Sequence, residues 1–301
     1  MNSLSHLRTW WTQWRELIFW PLFFVLSPFQ LKRWVVKYVQ NRNDLFAHEV
    51  HAMRVNVLRF LPEVDIDAAT RELRLVHLTD RSDPFASKLF LKKTLRSYIQ
   101  IMNLPPPNRP TLFLAAHRGN GWWSLPLLYQ QGQPVQLVTA PLHTSKAMKD
   151  FLINGYAKFR WREINRIGGL PIIPARGASQ IMRGVFSESG RVMAGIDVPS
   201  ALAKQCSPVQ FWGKTAYMPR QAIENAMACN AAIFYFASDF NAETLQQEIR
   251  FTELDTSGSA QSVFQCYISL LEKEIRKRPG SWHSWGHIDL YFQNNSDPIP
   301  S

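Results

Sequence analysis

The chain has 301 residues, of which 46% are hydrophobic and 13% aromatic, enough for a sizeable core and incompatible with general disorder. A formal net charge of +11 points to phosphate-bearing or acidic partners, but zinc-finger spacing, an RNP motif and a basic region with heptads are all missing, which favours lipid over nucleic acid. Cys206, Cys229 and Cys266 are far apart in sequence, so neither a disulfide framework nor a metal knuckle is expected, and a reducing compartment fits.

Residues 1–40 read as a membrane-associating helical segment. The apolar run Leu17 to Phe29 is bracketed by Arg8 and Arg15 on one side and Lys32, Arg33 and Lys37 on the other. Crossing a bilayer takes about 20 apolar residues. This run is shorter, and Pro21 and Pro28 interrupt it. Trp10, Trp11, Trp14, Trp20 and Trp34 flank it, as interfacial anchors do. The expectation is an amphipathic helix lying in the headgroup region of an anionic leaflet, with a helix packed on the protein's own core as the alternative. Without an A-x-A cleavage site, a secretory signal peptide is not expected.

Residues 41–109 mix charged and apolar positions at helical spacing, as in "LFAHEVHAMRVNVLRFL" and "SKLFLKKTLRSYIQIM", and predict a helical region packing on the core. Pro105 to Pro107 and Pro110 end it. Over 110–293, short apolar runs alternate with helical stretches. "TLFLAAH", "VQLVTA", "LPIIPA", "RVMAGID" and "AAIFYFAS" read as strands. The expected fold class is α/β, with a largely parallel or mixed central sheet flanked by helices. Residues 294–301 read as a loose polar tail.

Within this domain, "AAHRGNGWW" places His117 at the carboxyl end of a predicted strand, where open α/β sheets bind ligands. Gly119, Asn120 and Gly121 follow and are expected to open a helix with free backbone N–H groups. An imidazole beside such donors suits acyl transfer: the ring takes a proton from an attacking hydroxyl and the donors hold the oxyanion. Trp122 and Trp123 could line an acyl pocket or pack the core. Arg166, before Gly168, and Arg176, before Gly177, are candidates for binding a phosphate of the substrate.

Four pieces in order resemble the lysophospholipid acyltransferase superfamily, specifically its branch of lipid A late acyltransferases. They are "AAHRGNGWW", "INRIGGLPIIPARGASQIMRGVFSESGRVMAGIDVPS", "VQFWGKTAYMPRQAIENAMACNAAIFYF" and "LEKEIRKRPGSWHSWGH". The resemblance implies a glycerolipid acyltransferase-like fold. It also implies transfer of a fatty acyl group from an acyl thioester, on acyl carrier protein or coenzyme A, to a hydroxyl of a lipid or glycolipid. The thioester would be a substrate, with no cofactor. Membrane lipid and acyl carrier protein would be the partners, at the cytoplasmic face of a bacterial inner membrane. His117 takes the position of the family's histidine. The family has Asp or Glu five positions later, where this chain has Trp122. Either a distant acid substitutes, or the histidine works unaided, or the protein is a non-catalytic relative that binds an acyl chain, a carrier protein or a partner enzyme. Asp197, at the end of the "RVMAGID" strand, is the leading substitute, ahead of Glu163 and Asp150.

Overall fold

The computed structural model describes residues 3–97, 99–106, 109–140, 150–203 and 205–293. The expected tail at 294–301 lies outside them, as do Pro107 and His143.

Three helices begin the chain: α1 (Ser3–Trp14), α2 (Trp20–Leu26) and α3 (Phe29–Gln40), with a π turn at Arg15–Phe19 between the first two. The N-terminal reading is therefore corrected in form. The apolar run does not make one helix: the backbone stays helical through the π turn and past Pro21, and ends at Ser27 and Pro28, which are extended and separate α2 from α3. Among the described residues no helix is long and apolar enough to cross a membrane. One side of this unit is a core of its own: Phe24, Val35, Val36 and Val39 pack on Leu75 and Leu78. The other side leaves Trp10, Trp11, Phe29 and Trp34 exposed. Glu16, buried in the π turn, accepts the Phe46 N–H at 2.6 Å and faces Arg81 at 3.3 Å, which ties this unit to the rest.

Helices α4 (Ala47–Phe60) and α5 (Ile66–Ser97) follow. Helix α5 contains Pro84 and bends where Phe90 leaves helical geometry (φ −139°, ψ 29°). The expectation of helix up to the proline linker fails at its end. Ile99–Met102 is a strand, β1, that joins the main sheet. The sheet thus draws one strand from the region read as helical.

The seven-stranded sheet has the order β1-β9-β8-β2-β5-β3-β4. Its other strands are β2 (Thr111–Ala115), β3 (Gln136–Thr139), β4 (Ile173–Pro174), β5 (Arg191–Gly195), β8 (Ala232–Asn241) and β9 (Gln246–Glu253). Strands β8, β2, β5, β3 and β4 run parallel, while β9 runs antiparallel to β8. This is the mostly parallel α/β sheet that the alternating pattern implies. A separate hairpin, β6 (Ser207–Phe211) with β7 (Lys214–Met218), packs beside it.

Alternation along β2 builds both layers. Leu112 and Leu114 enter the core beneath α8 (Ala178–Ser187), α9 (Gln221–Ala228) and α10 (Ala260–Lys277). Phe113 enters the opposite core under α6 (Ser124–Gln130) and α7 (Phe151–Gly168). Ser259 caps α10 by accepting the Ser262 N–H. The parallel strands deliver their carboxyl ends, and the loops after β2, β5 and β4, to one rim.

Candidate active site

His117 and Asp197 meet on that rim. Strands β2 and β5 are in register, Ala115 opposite Gly195, so residues two beyond each strand end face one another. His117 Nδ1 lies 2.8 Å from Asp197 Oδ1, and the His117 backbone N–H donates to Asp197 Oδ2, also at 2.8 Å. The Trp282 indole N–H donates to the same Oδ2 at 3.1 Å, and the Tyr291 hydroxyl donates to the Asp197 carbonyl at 2.7 Å. The Asp197 side chain is 0% exposed and that of His117 is 56% exposed. A buried carboxylate held by the His117 backbone N–H, the His117 ring and the Trp282 indole is compensated, and it fixes the ring with Nδ1–H inward. Nε2 is left as the ring nitrogen available to a substrate.

The Asp197 charge raises the His117 pKa to about 9, against the smaller opposing effect of desolvation on the packed side of this half-exposed ring. Titration of the ring by NMR is therefore expected to show a midpoint near 9. A base must be neutral to act, so kcat/KM of any reaction using this ring rises with pH through the same value. Because the folded pKa is raised, the pair's contribution to stability is complete below the ordinary histidine value of about 6.5 and is lost as pH climbs through the folded value. A midpoint near the ordinary value would show that the two side chains do not pair in solution.

The turn after His117 is held from several sides. Gly119 has φ +58°, donates its N–H to Ser281 at 2.7 Å and gives its carbonyl to His283 Nε2 at 2.9 Å. The His283 N–H donates to the His117 carbonyl at 2.8 Å. Burial lowers the His283 pKa, consistent with a neutral ring donating from Nε2. Arg118 points inward, 2.8 Å from Asp239 and 3.3 Å from Glu274. Arg250 bridges the same two acids, and Arg278 joins Asp239 to Glu72.

Two expected substrate contacts are corrected here. Asn120 is buried and its groups are spent: Nδ2 donates to Asp83, Oδ1 accepts the Trp122 N–H at 3.2 Å, and its carbonyl accepts from Ser238 Oγ and Gln247 Nε2. Its role is to hold the turn. Trp122, also buried, lies under the Arg160 guanidinium (5.3 Å to the ring centroid), which is itself doubly bonded to Asp80 at 2.7 and 2.8 Å. Burial opposes the Asp80 charge, but Arg160 prevails and holds that carboxyl down to about 2. The turn does not open directly into a helix either. Helix α6 starts only at Ser124, so Gly119 and Gly121 belong to an irregular loop, not to a helix N-terminus.

Arg166 is also corrected. It lies in the last turn of α7, not in a rim loop, and pairs with Glu163 at 2.7 Å while donating to the Ser87 carbonyl at 2.9 Å. That pairing removes Glu163 as a partner for His117 as well. Asp150 precedes α7 and is likewise not the acid on the ring. Arg176 is exposed after β4 on the same rim as His117. Three strand spacings separate β4 from β2, about 14 Å, so it could meet only a distant part of a long substrate. Residues that sequence reasoning missed are Trp282, Tyr291, His283, Asp83 and Ser238. The first and third stand in the quoted block "RPGSWHSWGH", but nothing local signals their reach to Asp197 and Gly119.

Comparison with protein-family models and with curated proteins finds no match to this chain.

Proposed function

We propose that the protein is a membrane-associated acyltransferase that moves a fatty acyl group from an acyl thioester to a hydroxyl of a lipid or glycolipid. The observation that carries this reading is the His117–Asp197 pair: a buried carboxylate holding an imidazole whose other nitrogen faces solvent at the ligand-binding rim. Neutral His117 accepts the proton of the acceptor hydroxyl at Nε2 as its oxygen attacks the thioester carbonyl. The tetrahedral intermediate collapses, the C–S bond breaks, and the thiol leaves with the proton returned from the imidazolium. An ester replaces the thioester, and no acyl-enzyme forms. Asp197 stabilises the imidazolium between these steps without itself being protonated.

The acyl donor is read as acyl carrier protein or acyl-coenzyme A, both anionic, which suits a chain of net charge +11. Arg176 is the remaining candidate on the rim for a remote phosphate. The exposed Trp10, Trp11 and Trp34, beside Lys32, Arg33 and Lys37, support peripheral binding to an anionic leaflet, taken to be the cytoplasmic face of a bacterial inner membrane. The non-catalytic alternative was motivated by Trp122 in place of the family's acid. A carboxylate arriving from β5 supplies what that position lacks and favours the enzyme.

The test incubates purified protein with thioesters of acyl carrier protein or coenzyme A and lipid extracts, and follows thiol release and new acylated lipid by mass spectrometry. Thiol release that depends on the lipid and disappears in His117→Ala is expected. Turnover that survives that substitution would remove the reading.

A further inference from the structure

A cavity of about 470 Å³ lies behind the His117 turn, lined by α2, the start of α3, the second half of α5 and the facing ends of β8 and β9. Its volume falls among small-molecule sites, which run roughly from 300 to 1,000 Å³. Its inner wall is built from Phe24, Trp123 and Leu245, all buried. Three hydroxyls of the lining are spent on their own helices: Ser27 Oγ donates to the Phe23 carbonyl at 2.7 Å, Thr79 Oγ1 to the Leu75 carbonyl at 3.0 Å and Ser82 Oγ to the Leu78 carbonyl at 2.6 Å. Asp83 lines the floor, where burial pushes its carboxyl well above the usual range. The inner wall of Phe24, Trp123 and Leu245, with Ala86 beside it, offers apolar surface and few unspent hydrogen-bonding groups, so it suits a hydrocarbon chain better than a polar ligand.

The mouth has the opposite character. Leu26, Phe29 and Phe90 line it and are exposed. Lys32 and Lys93 also line it; Lys93 is exposed and Lys32 lies 5.4 Å from the Phe24 ring. Two helix interruptions shape this opening, the Ser27–Pro28 break between α2 and α3 and the non-helical Phe90 inside α5. The imidazole of His117 is not on this lining, and the bonded pair Asp83 and Asn120, with Trp123, stands between.

We propose that this cavity is a site distinct from the His117 centre and holds one hydrocarbon chain of an anionic amphiphile, with the carboxylate or phosphate head between Lys32 and Lys93. The same chemistry is offered by a free fatty acid and by one chain of an anionic membrane lipid. The site does not depend on acyl transfer at His117, and its test is independent of turnover.

The full chain is titrated with the fluorescent fatty acid cis-parinaric acid, then competed with dodecanoate, dodecyltrimethylammonium, or vesicles of phosphatidylglycerol or phosphatidylcholine. Saturable binding at one probe per chain is expected, displaced by dodecanoate and not by the cation. Ala86→Phe, which fills the cavity from α5, weakens it at least tenfold. The rim variant Lys32→Ala/Lys93→Ala, which leaves the core untouched, weakens it by a similar factor, and His117→Ala leaves it unchanged. Displacement by dodecanoate alone assigns the free fatty acid; displacement also by phosphatidylglycerol vesicles, but not by phosphatidylcholine, assigns the membrane lipid. Absence of saturable binding, equal displacement by the cation, or full affinity in both the filled and the rim variants would overturn the proposal.

Discussion

Under the proposed acyl transfer, Asp197→Asn is expected to lower kcat/KM by about 10³-fold or more while the protein stays folded, and His117→Ala to do at least as much. The geometry gives the reason. Asp197 Oδ2 receives two N–H groups, from the His117 backbone and from Trp282, so an asparagine at 197 must turn its carbonyl oxygen that way. Its NH2 then points at His117 Nδ1. That nitrogen becomes an acceptor, the ring proton moves to Nε2, and the nitrogen facing the substrate can no longer take a proton. The ring pKa also falls from about 9 toward the ordinary value, since the Asp197 charge is what raises it. A 15N-resolved spectrum of the ring reads both changes without needing substrate. The double variant is expected to be no slower than His117→Ala alone, because the two side chains act as one unit. An Asp197→Asn protein with native kcat/KM would show that the acid has no part in the chemistry.

That pair was legible in the sequence because it depends on strand ends, and strand ends are visible. Strands β2, β5 and β8 are buried on both faces, so they stand out as short apolar runs. Once the sheet is parallel, the residues just past β2 and β5 share a rim. Strand β1 was missed for the converse reason: Ile99 and Ile101 alternate with more exposed neighbours at the sheet edge, and no breaker separates them from α5. The functional reading of Arg166 failed although its spacing from Glu163 was available, since an ion pair three residues apart on one helix can consume an arginine. The reading of Asn120 failed because its partners Asp83, Ser238 and Gln247 come from α5, β8 and β9. The indole of Trp282 reaches Asp197 across 85 residues, and the cavity behind the His117 turn needs two helix breaks to face each other. Neither leaves a periodic trace, because both are products of tertiary packing.

Gly119→Ala is expected to cost about 3 kcal/mol or more, the sum of a left-handed backbone penalty and a core overlap. The added Cβ would lie 1.9 Å from the Ser238 carbonyl oxygen and 3.0 Å from its carbon. Ser238 belongs to β8 and is paired there with Ile249 of β9, while its hydroxyl donates to the Asn120 carbonyl, so the obstacle is buried backbone held in a ladder. Gly177→Ala is the matched control. It has φ +80°, also left-handed, yet its Cβ would meet nothing within 4 Å, so only the backbone strain of about 1–2 kcal/mol remains. Against a typical total of about 5–15 kcal/mol, the first loss is large and the second tolerable. Urea unfolding of the two variants separates them; equal losses would mean that the turn does not lie against β8 in solution. The same overlap bears on activity. Relief of the clash must lift the turn, and the turn is bonded to Ser281 and His283, whose segment also places Trp282 on Asp197. Gly119→Ala therefore loosens both members of the His117–Asp197 pair at once, and its folded fraction loses turnover beyond what its lowered stability accounts for, while Gly177→Ala loses none.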